Sequence, residues 1–144
     1  MNTPSLVHPA YVIENQVCFP LYAAAKEVIR QYTPFLAPLE LTYTQYITMM
    51  ILWEEKEISV KELGNRLYLN SGTLTPLLKR LEKKNYIMRR KSLEDERSTL
   101  ISVTEQGMAL REKAASVPEA VRCEITLTDK ELLHIQQHGG KPVQ

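Results

Sequence analysis

Cysteine is scarce in this sequence, which argues against sites built from clustered thiols. The 144-residue chain holds two cysteines, Cys18 and Cys123, which lie far apart and form no Cys-x-x-Cys pair. Its three histidines lie near the chain ends, without ligand spacing to a cysteine. A zinc site and a thioredoxin-type redox site therefore have little support, and we expect no metal or other cofactor.

Long apolar runs are missing as well. No apolar stretch approaches the roughly 18 residues that a membrane-spanning helix needs. The N-terminus lacks a basic start followed by an apolar stretch, so it does not resemble a signal peptide. We therefore expect a cytoplasmic protein with reduced thiols, in which an isolated cysteine is more often a small buried hydrophobic residue than a reactive one.

Net charge is low, at +1, and alone it does not indicate a nucleic-acid-binding protein. The distribution of charge is more informative. Segment 79–91 carries seven basic residues and one acidic residue, a local charge of +6 that leaves −5 for the rest of the chain. Such a block is typical of a phosphate-facing surface or of a solvated helix face, and both interpretations stay open here.

The first part of the chain predicts a loose arm followed by a helix. Residues 1–13 show no apolar period, whereas 14–36 is helical in character. Pro20 either kinks this helix or occupies its first turn, so Cys18 lies close to a helix start or a break. We expect Pro34 or Pro38 to end the helix.

Three more helical segments follow before the period changes. Residues 42–55 are apolar enough for a buried helix. Ser59 begins a short helix with a capping-box pattern. Asn70 or Ser71 begins the next helix, whose leucines recur on one face, and Pro76 is expected in its first turns, where the missing donor costs little.

After Tyr86 the sequence predicts two short strands, IMRRKS and STLISVT, joined by the charged turn LEDER. A helix over 104–115 and a weak one over 129–138 follow, with Pro118 and Cys123 between them and Gly139 and Gly140 at the end. We therefore predict a single, mainly α domain over residues 1–144, with a small two- or three-stranded β wing. A helix–turn–helix followed by a hairpin is a recognised DNA-docking arrangement.

Polar residues on the second helix of this motif and in the wing are candidates for DNA contact. Hydroxyl groups at a helix start bond phosphates or base edges, although ordinary capping explains part of the pattern. An arginine at a hairpin tip suits a narrow minor groove, with Asp95 orienting Arg97; the alternative is a solvated salt bridge. The candidates are Ser71, Thr73, Thr75, Lys79, Arg80, Arg89, Arg90, Asp95 and Arg97.

A family resemblance is carried by five stretches, which are NQVCFPLY (15–22), LTYTQY (41–46), LYLNSGTLTPLLKRLEKK (67–84), DERSTLISVTEQG (95–107) and VPEAVRC (117–123). Over about residues 12–135 the chain resembles the OhrR-type organic hydroperoxide regulators of the MarR family. The resemblance implies a winged helix–turn–helix at 44–104, with dimerisation helices at 12–40 and 105–138. It further implies a homodimeric repressor that occupies a palindromic operator until a peroxide oxidises it.

The same resemblance assigns roles to the two cysteines. It implies that organic hydroperoxide oxidises Cys18, that hydroxyls of Tyr32 and Tyr43 hydrogen-bond its thiol, and that Cys123 then forms an intersubunit disulfide with it. By spacing, Tyr22 is a helical neighbour of Cys18, whereas Tyr32 lies roughly 21 Å away along a straight helix. A contact between Cys18 and Tyr32 therefore needs a partner subunit whose first helix runs antiparallel.

Three alternatives stay open at the level of sequence. The nearest is a winged-helix repressor that responds to a small phenolic ligand, with Cys18 merely structural. The second is a thiol peroxidase, but no cation lies near Cys18 to polarise a peroxide, so we expect no enzyme. The third is a protein-interaction domain without DNA binding, against which the basic segment 79–91 argues.

Overall fold

The computed structural model describes residues 8–138, and within them the chain forms seven α-helices and one three-stranded sheet. The elements are α1 Cys18–Leu36, α2 Tyr43–Glu55, β1 Glu57–Ser59, α3 Val60–Leu67, α4 Ser71–Lys83, β2 Ile87–Lys91, β3 Thr99–Val103, α5 Glu105–Ala114, α6 Val117–Glu124 and α7 Asp129–His138. The mainly helical fold with a small β wing is confirmed. The predicted end of the last helix at Gly139 and Gly140 lies outside the described residues.

The N-terminal segment is more regular than the sequence predicts. Short 3-10 helices at Pro9–Tyr11 and Ile13–Asn15 occupy part of the expected loose arm, whose residues 1–7 lie outside the described chain. α1 begins at Cys18 and so places Pro20 in its first turn, the second of the two arrangements that the sequence allows.

Of the two prolines predicted to end the first helix, Pro38 is confirmed and Pro34 is not, because the C-cap Ala37 of α1 directly precedes Pro38. Pro34 lies inside α1, the helix ends at Leu36, and Pro38 belongs to a separate 3-10 helix, Ala37–Leu39. Pro34 removes one backbone hydrogen bond. Burial of Leu36, which is 1% exposed, in the apolar core offsets that loss.

Side-chain caps determine where the helices of the helix–turn–helix begin. The Ser59 hydroxyl accepts from the backbone N–H of Glu62 at 3.1 Å and starts α3. The Asn70 carboxamide oxygen accepts from the backbone N–H of Thr73 at 2.9 Å and starts α4. Asn70 is therefore the cap of α4, and the hydroxyl of Ser71 is left on its exposed surface.

Pro76 lies in the interior of α4, so the prediction that its missing donor costs little is wrong. Counted from Ser71 it is the sixth residue, and the N–H that it lacks would have bonded to the Gly72 carbonyl. The helix continues past it because its apolar face is anchored in the core. The buried residues of that face are Leu74, Leu77, Leu78 and Leu81.

The sheet has the antiparallel order β1-β3-β2, so β3 is the central strand. Ile101 of β3 is buried and pairs with Ile58 on one side and Arg89 on the other. Lys91 pairs with Thr99 at the end of the ladder, before the tip of the wing at 92–98. The short strand β1 makes this wing three-stranded rather than two-stranded.

The core joins the sheet to the helices around it. The Trp53 indole N–H donates to the Gly107 carbonyl at 2.8 Å in a buried contact between α2 and α5. Gly107 has no room for a side chain, because a Cβ atom there would lie 2.2 Å from the Tyr86 carbonyl oxygen. No helix between residues 8 and 138 is both long and apolar enough to cross a membrane.

One helix is not predicted from the sequence. Residues 117–124 form α6, whereas the sequence suggests a connection between two helices around Pro118 and Cys123. Pro118 sits in the first turn of α6, where the missing N–H is tolerated. Val117 and Val121 are buried and hold this helix against the core.

Candidate nucleic-acid interface and thiol site

The face of α4 opposite its leucines carries the polar residues that the sequence singled out. Ser71, Thr73, Lys79 and Arg80 are exposed, and Thr75 is half-buried. Because the core fixes the leucine face, this polar face is held in a defined orientation toward solvent. Their exposure agrees with the sequence-based expectation, and their contact with DNA stays a prediction.

An open groove of about 670 Å³ lies between α3, α4 and the wing. It brings together residues from all three elements, including the predicted Ser71, Thr75 and Arg97. Lys61 and Asn65 of α3 also line it, and neither is among the residues predicted from sequence. Their position on the first helix of a helix–turn–helix could have identified them from sequence, because that helix faces the same DNA as the second.

Asp95 stabilises the turn at the tip of the wing through two hydrogen bonds. Its carboxylate accepts from the backbone N–H of Arg97 at 3.0 Å, and its carbonyl accepts from the N–H of Ser98 at 2.9 Å. Among the described residues no ion pair joins the Asp95 and Arg97 side chains. Asp95 thus positions Arg97 through the backbone of the turn rather than through its guanidinium, and leaves that side chain exposed.

Arg89 and Arg90, both predicted to contact DNA, are engaged within the protein. Arg89 donates to the Glu82 carboxylate of α4 at 3.1 and 3.0 Å, and Arg90 to the Glu57 carboxylate of β1 at 2.8 and 3.0 Å. Hydrogen bonds from Arg89 lower the pKa of the Glu82 carboxyl, and the same bonds raise the pKa of Arg89. Sequence alone carried no signal for these partners.

Cys18 is exposed and is the first residue of α1. Backbone N–H groups of the first turn lack partners within the helix, and the positive end of the helix dipole favours an anion such as a thiolate. Tyr22, one turn later, is 57% exposed and lies beneath the Lys26 ammonium, 5.3 Å from its ring centroid. No hydrogen bond joins Cys18 to Tyr22 in the described chain, so support of the thiol by Tyr22 stays a prediction.

Tyr32 and Tyr43 lie together, with ring centroids 4.9 Å apart. Burial raises the pKa of both phenols, and the neighbouring Tyr32 adds to the effect on Tyr43. Both hydroxyls are therefore protonated donors at neutral pH. Tyr46 joins them, 5.9 Å from Tyr32, and was missed although it lies one helical turn after Tyr43.

The tyrosine cluster is remote from the cysteine of its own chain. Since α1 is continuous, Tyr32 lies roughly 21 Å along the helix from Cys18. Cys123 is exposed on α6, which packs against α1.

Metal chemistry has no candidate centre in residues 8–138. No group of three or more histidine, cysteine, aspartate or glutamate side chains is close enough there to hold an ion. The chemistry of the described site rests on thiol, phenol and cationic side chains.

Comparisons with known proteins identify the family. The family model for the transcriptional regulator SarA/Rot matches residues 30–114. The organic hydroperoxide resistance transcriptional regulator of Bacillus subtilis is 51% identical over 109 residues, which cover 76% of this chain and 74% of that protein. These proteins are transcriptional regulators, not enzymes.

Solved structures agree with the sequence comparison. Reduced AbfR bound to DNA, a Staphylococcus epidermidis protein also known with a disulfide formed, has a TM-score of 0.72 and 31% identity, over 87% of this chain and 88% of its own. A mutant of MarR from E. coli, complexed with operator DNA, has a TM-score of 0.74 and 25% identity, over 82% of this chain and 86% of its own. The chain therefore belongs to the MarR family of winged-helix transcriptional regulators, in its organic hydroperoxide regulator branch.

Proposed function

We propose that this regulator is a redox-sensing repressor that binds palindromic operator DNA as a homodimer and is released when organic hydroperoxide oxidises Cys18. One observation carries the proposal. Cys18 lies exposed at the N-terminal end of α1, while the half-buried phenols of Tyr32 and Tyr43 lie at the other end. A second chain with an antiparallel α1 brings the two halves together.

The exposed apolar surface supports the dimer. Of the nineteen residues of α1, only Leu36 is buried within the described chain. Leu21 is 71% and Ile29 41% exposed on the same helix, and Leu133 and Ile135 of α7 are more than half exposed. Apolar surfaces of this kind mark protein–protein interfaces. We propose that the N-terminal helix and the helices after the wing form the dimer interface.

The exposed face of α4 and the wing tip supply the DNA contacts in this proposal. α4 enters the major groove, where its hydroxyls and cations meet base edges and phosphates. Arg97, at the tip of the wing, enters the minor groove. A twofold dimer places the two recognition helices about one DNA turn apart, which matches a palindromic operator. The proposed contacts are Ser71, Thr73, Thr75, Lys79, Arg80 and Arg97, with Asp95 holding the turn.

The proposed oxidation proceeds in two balanced steps. The Cys18 thiolate attacks the distal oxygen of the hydroperoxide and breaks the O–O bond, forming a sulfenic acid and an alkoxide that takes a proton from water to leave as the alcohol. The Cys123 thiol of the partner subunit then displaces the hydroxyl as water and forms a disulfide. The disulfide requires Cα atoms within about 7 Å, so α1 and the partner's α6 must shift, and that shift re-aims the recognition helices. A relative with a known disulfide form supports this step.

Operator binding with and without cumene hydroperoxide tests the proposal. Wild type should bind when reduced and release after oxidation, and Cys18→Ser should bind equally well but stay bound in peroxide. Cys123→Ser is the matched control: it should still react at Cys18 but form no disulfide between subunits. Peroxide-driven release that persists in Cys18→Ser ends the sensor proposal.

A second candidate function has one observation in its favour. A groove of about 900 Å³ between α1 and α4 has a largely apolar floor and a basic rim of Arg80, Lys83 and Lys84, which suits a small phenolic anion. This ligand-responsive repressor leaves Cys18 without a role. Release by a phenolic ligand in Cys18→Ser, together with insensitivity of wild type to peroxide, would favour it.

A further inference from the structure

The base of the wing is held on both of its faces by arginine–carboxylate pairs. On the inner face, Nε and Nη2 of Arg89 donate to the two carboxylate oxygens of Glu82 in α4, at 3.1 and 3.0 Å. On the other face, Nη2 of Arg90 donates to both oxygens of Glu57 at 2.8 and 3.0 Å. Because β3 lies between β1 and β2, the second pair spans the central strand.

These two pairs lie just before the wing leaves the sheet. The ladder ends at Lys91 and Thr99, the residues next to Arg90 and its partner in register. Beyond it, the described contacts of the tip are local turn hydrogen bonds, such as that from the N–H of Ser92 to the carbonyl of Ser98 at 2.9 Å. The direction of the tip, and with it of Arg97, therefore depends on how the base is held.

Pairing with carboxylates leaves Arg89 and Arg90 poorly placed to neutralise phosphates. Arg89 donates from Nε and Nη2 to the two oxygens of Glu82, which is among the stronger geometries for such a pair. Arg90 donates from Nη2 alone to both oxygens of Glu57. Each pair also has no net charge. Lys91 lies on the same face as Arg89 and two residues nearer the tip. It is exposed and forms no ion pair in the described chain.

We propose that Glu82 and Arg89, with Glu57 and Arg90 on the opposite face, are positioning residues that fix the angle between the wing and the recognition helix α4. Arg89 and Arg90 then act through the protein rather than by touching phosphate, contrary to the sequence-based expectation. This inference rests on the proposed DNA binding. Exposed ion pairs contribute little to the free energy of unfolding, so breaking them should change operator affinity rather than stability.

Replacing Glu82 with glutamine distinguishes the effect of wing position on DNA binding from the electrostatic effect of the carboxylate. Removal of a negative charge beside DNA should, by electrostatics alone, tighten operator binding. If the carboxylate holds the wing, Glu82→Gln should instead weaken binding, by about three- to tenfold for the loss of an exposed ion pair from each subunit. Thermal unfolding should change little, which shows that the loss does not come from misfolding.

The salt dependence of affinity gives a second, independent measurement. Arg89→Gln should weaken binding without changing the slope of log affinity against log salt concentration. The matched control, Lys91→Gln, should reduce the magnitude of that negative slope by about 0.9 for each phosphate that the lysine no longer neutralises. The exchange Glu82→Arg with Arg89→Glu should recover most of the affinity, because it restores the pair with reversed polarity.

Two results would overturn the inference. They are Glu82→Gln binding the operator as tightly as wild type or more tightly, and Arg89→Gln lowering the salt slope as Lys91→Gln does. The first result shows that Glu82 does not position the wing, and the second makes Arg89 a phosphate contact. Failure of reduced wild type to bind any operator in the same titrations is a different outcome, because it refutes the DNA-binding proposal itself and this inference with it.

Discussion

At the scale of single residues, three phenols lie together as potential donors to an anion, those of Tyr32, Tyr43 and Tyr46. The ring centroid of Tyr32 lies 4.9 Å from that of Tyr43 and 5.9 Å from that of Tyr46, and burial raises the pKa of each hydroxyl. A protonated phenol donates a strong hydrogen bond to a thiolate, because bonds to ionised groups are stronger than neutral ones. The cluster thus favours the reactive form of a cysteine brought beside it.

Alkaline pH should lower the free energy of unfolding through the half-buried phenols of Tyr32 and Tyr43. Below about pH 10 a phenol is neutral in both states. Above that, unfolded tyrosines ionise while the folded ones, whose pKa is raised, hold their protons, so the unfolded state binds fewer protons and the free energy of unfolding falls. Urea unfolding between about pH 8 and pH 11 should show this decline in wild type and a shallower one in Tyr43→Phe.

Tyr11→Phe is the control for that measurement. Tyr11 is 82% exposed, so its removal should leave the alkaline decline unchanged. Equal pH profiles for wild type, Tyr43→Phe and Tyr11→Phe would contradict the assignment of the effect to the buried cluster.

Some of these residues were predictable from sequence and others were not. The wing arginine came from its place at a hairpin tip, the two tyrosines from a family resemblance, and the polar face of α4 from the spacing of its leucines. The partners of Arg89 and Arg90 were beyond reach, since the residues of each pair lie 7 and 33 positions apart and meet only once the sheet has docked. Asp95 was identified, but its hydrogen bond to backbone depends on a turn geometry that sequence does not fix.

At the scale of elements, the N-terminal cap of α4 should affect both the stability of the protein and its affinity for the operator. The Asn70 side chain satisfies the Thr73 N–H at 2.9 Å and fixes where the exposed hydroxyl residues begin. Asn70→Ala should lower the free energy of unfolding by about 1 kcal/mol and weaken operator binding, because the first turn of α4 frays. Urea unfolding and an operator titration measure the two effects.

Ser59→Ala is the matched control, since Ser59 caps α3 in the same way with its bond to the Glu62 N–H. It should cost a similar amount of stability while leaving operator affinity near that of wild type. An equal loss of affinity in both variants would mean that the cap of α4 acts on DNA binding only through general stability.

Proline and register explain where the element predictions failed. Local rules for proline do not hold at Pro34 and Pro76, because the buried Leu36 anchors α1 beyond Pro34 and four buried leucines anchor α4 around Pro76. α6 was missed because Pro118 suggested a break, whereas it begins a helix that Val117 and Val121 hold in place. Packing outweighs local propensity in each case. The short strand β1 exists only through its pairing with β3, which sequence periodicity does not show.

At the scale of the whole molecule, the exposed apolar face of α1 should make the protein a dimer. Leu21→Lys with Ile29→Lys places two charges on this face and should yield a monomer, measured by sedimentation equilibrium. Leu93→Lys is the control, because Leu93 is 95% exposed at the wing tip and lies outside the proposed interface. A monomeric wild type, or an intact dimer in the double variant, would contradict the proposed arrangement.

The sensing claim joins all three scales, since one sulfur atom must move two helices and so change the affinity of the dimer for DNA. The most direct test quantifies Cys18 oxidation by mass spectrometry and operator release by fluorescence anisotropy in the same samples during a titration with cumene hydroperoxide. The fraction of DNA released should follow the fraction of Cys18 oxidised at every point. Release with Cys18 still reduced, or full oxidation of Cys18 with the operator still bound, would contradict the account.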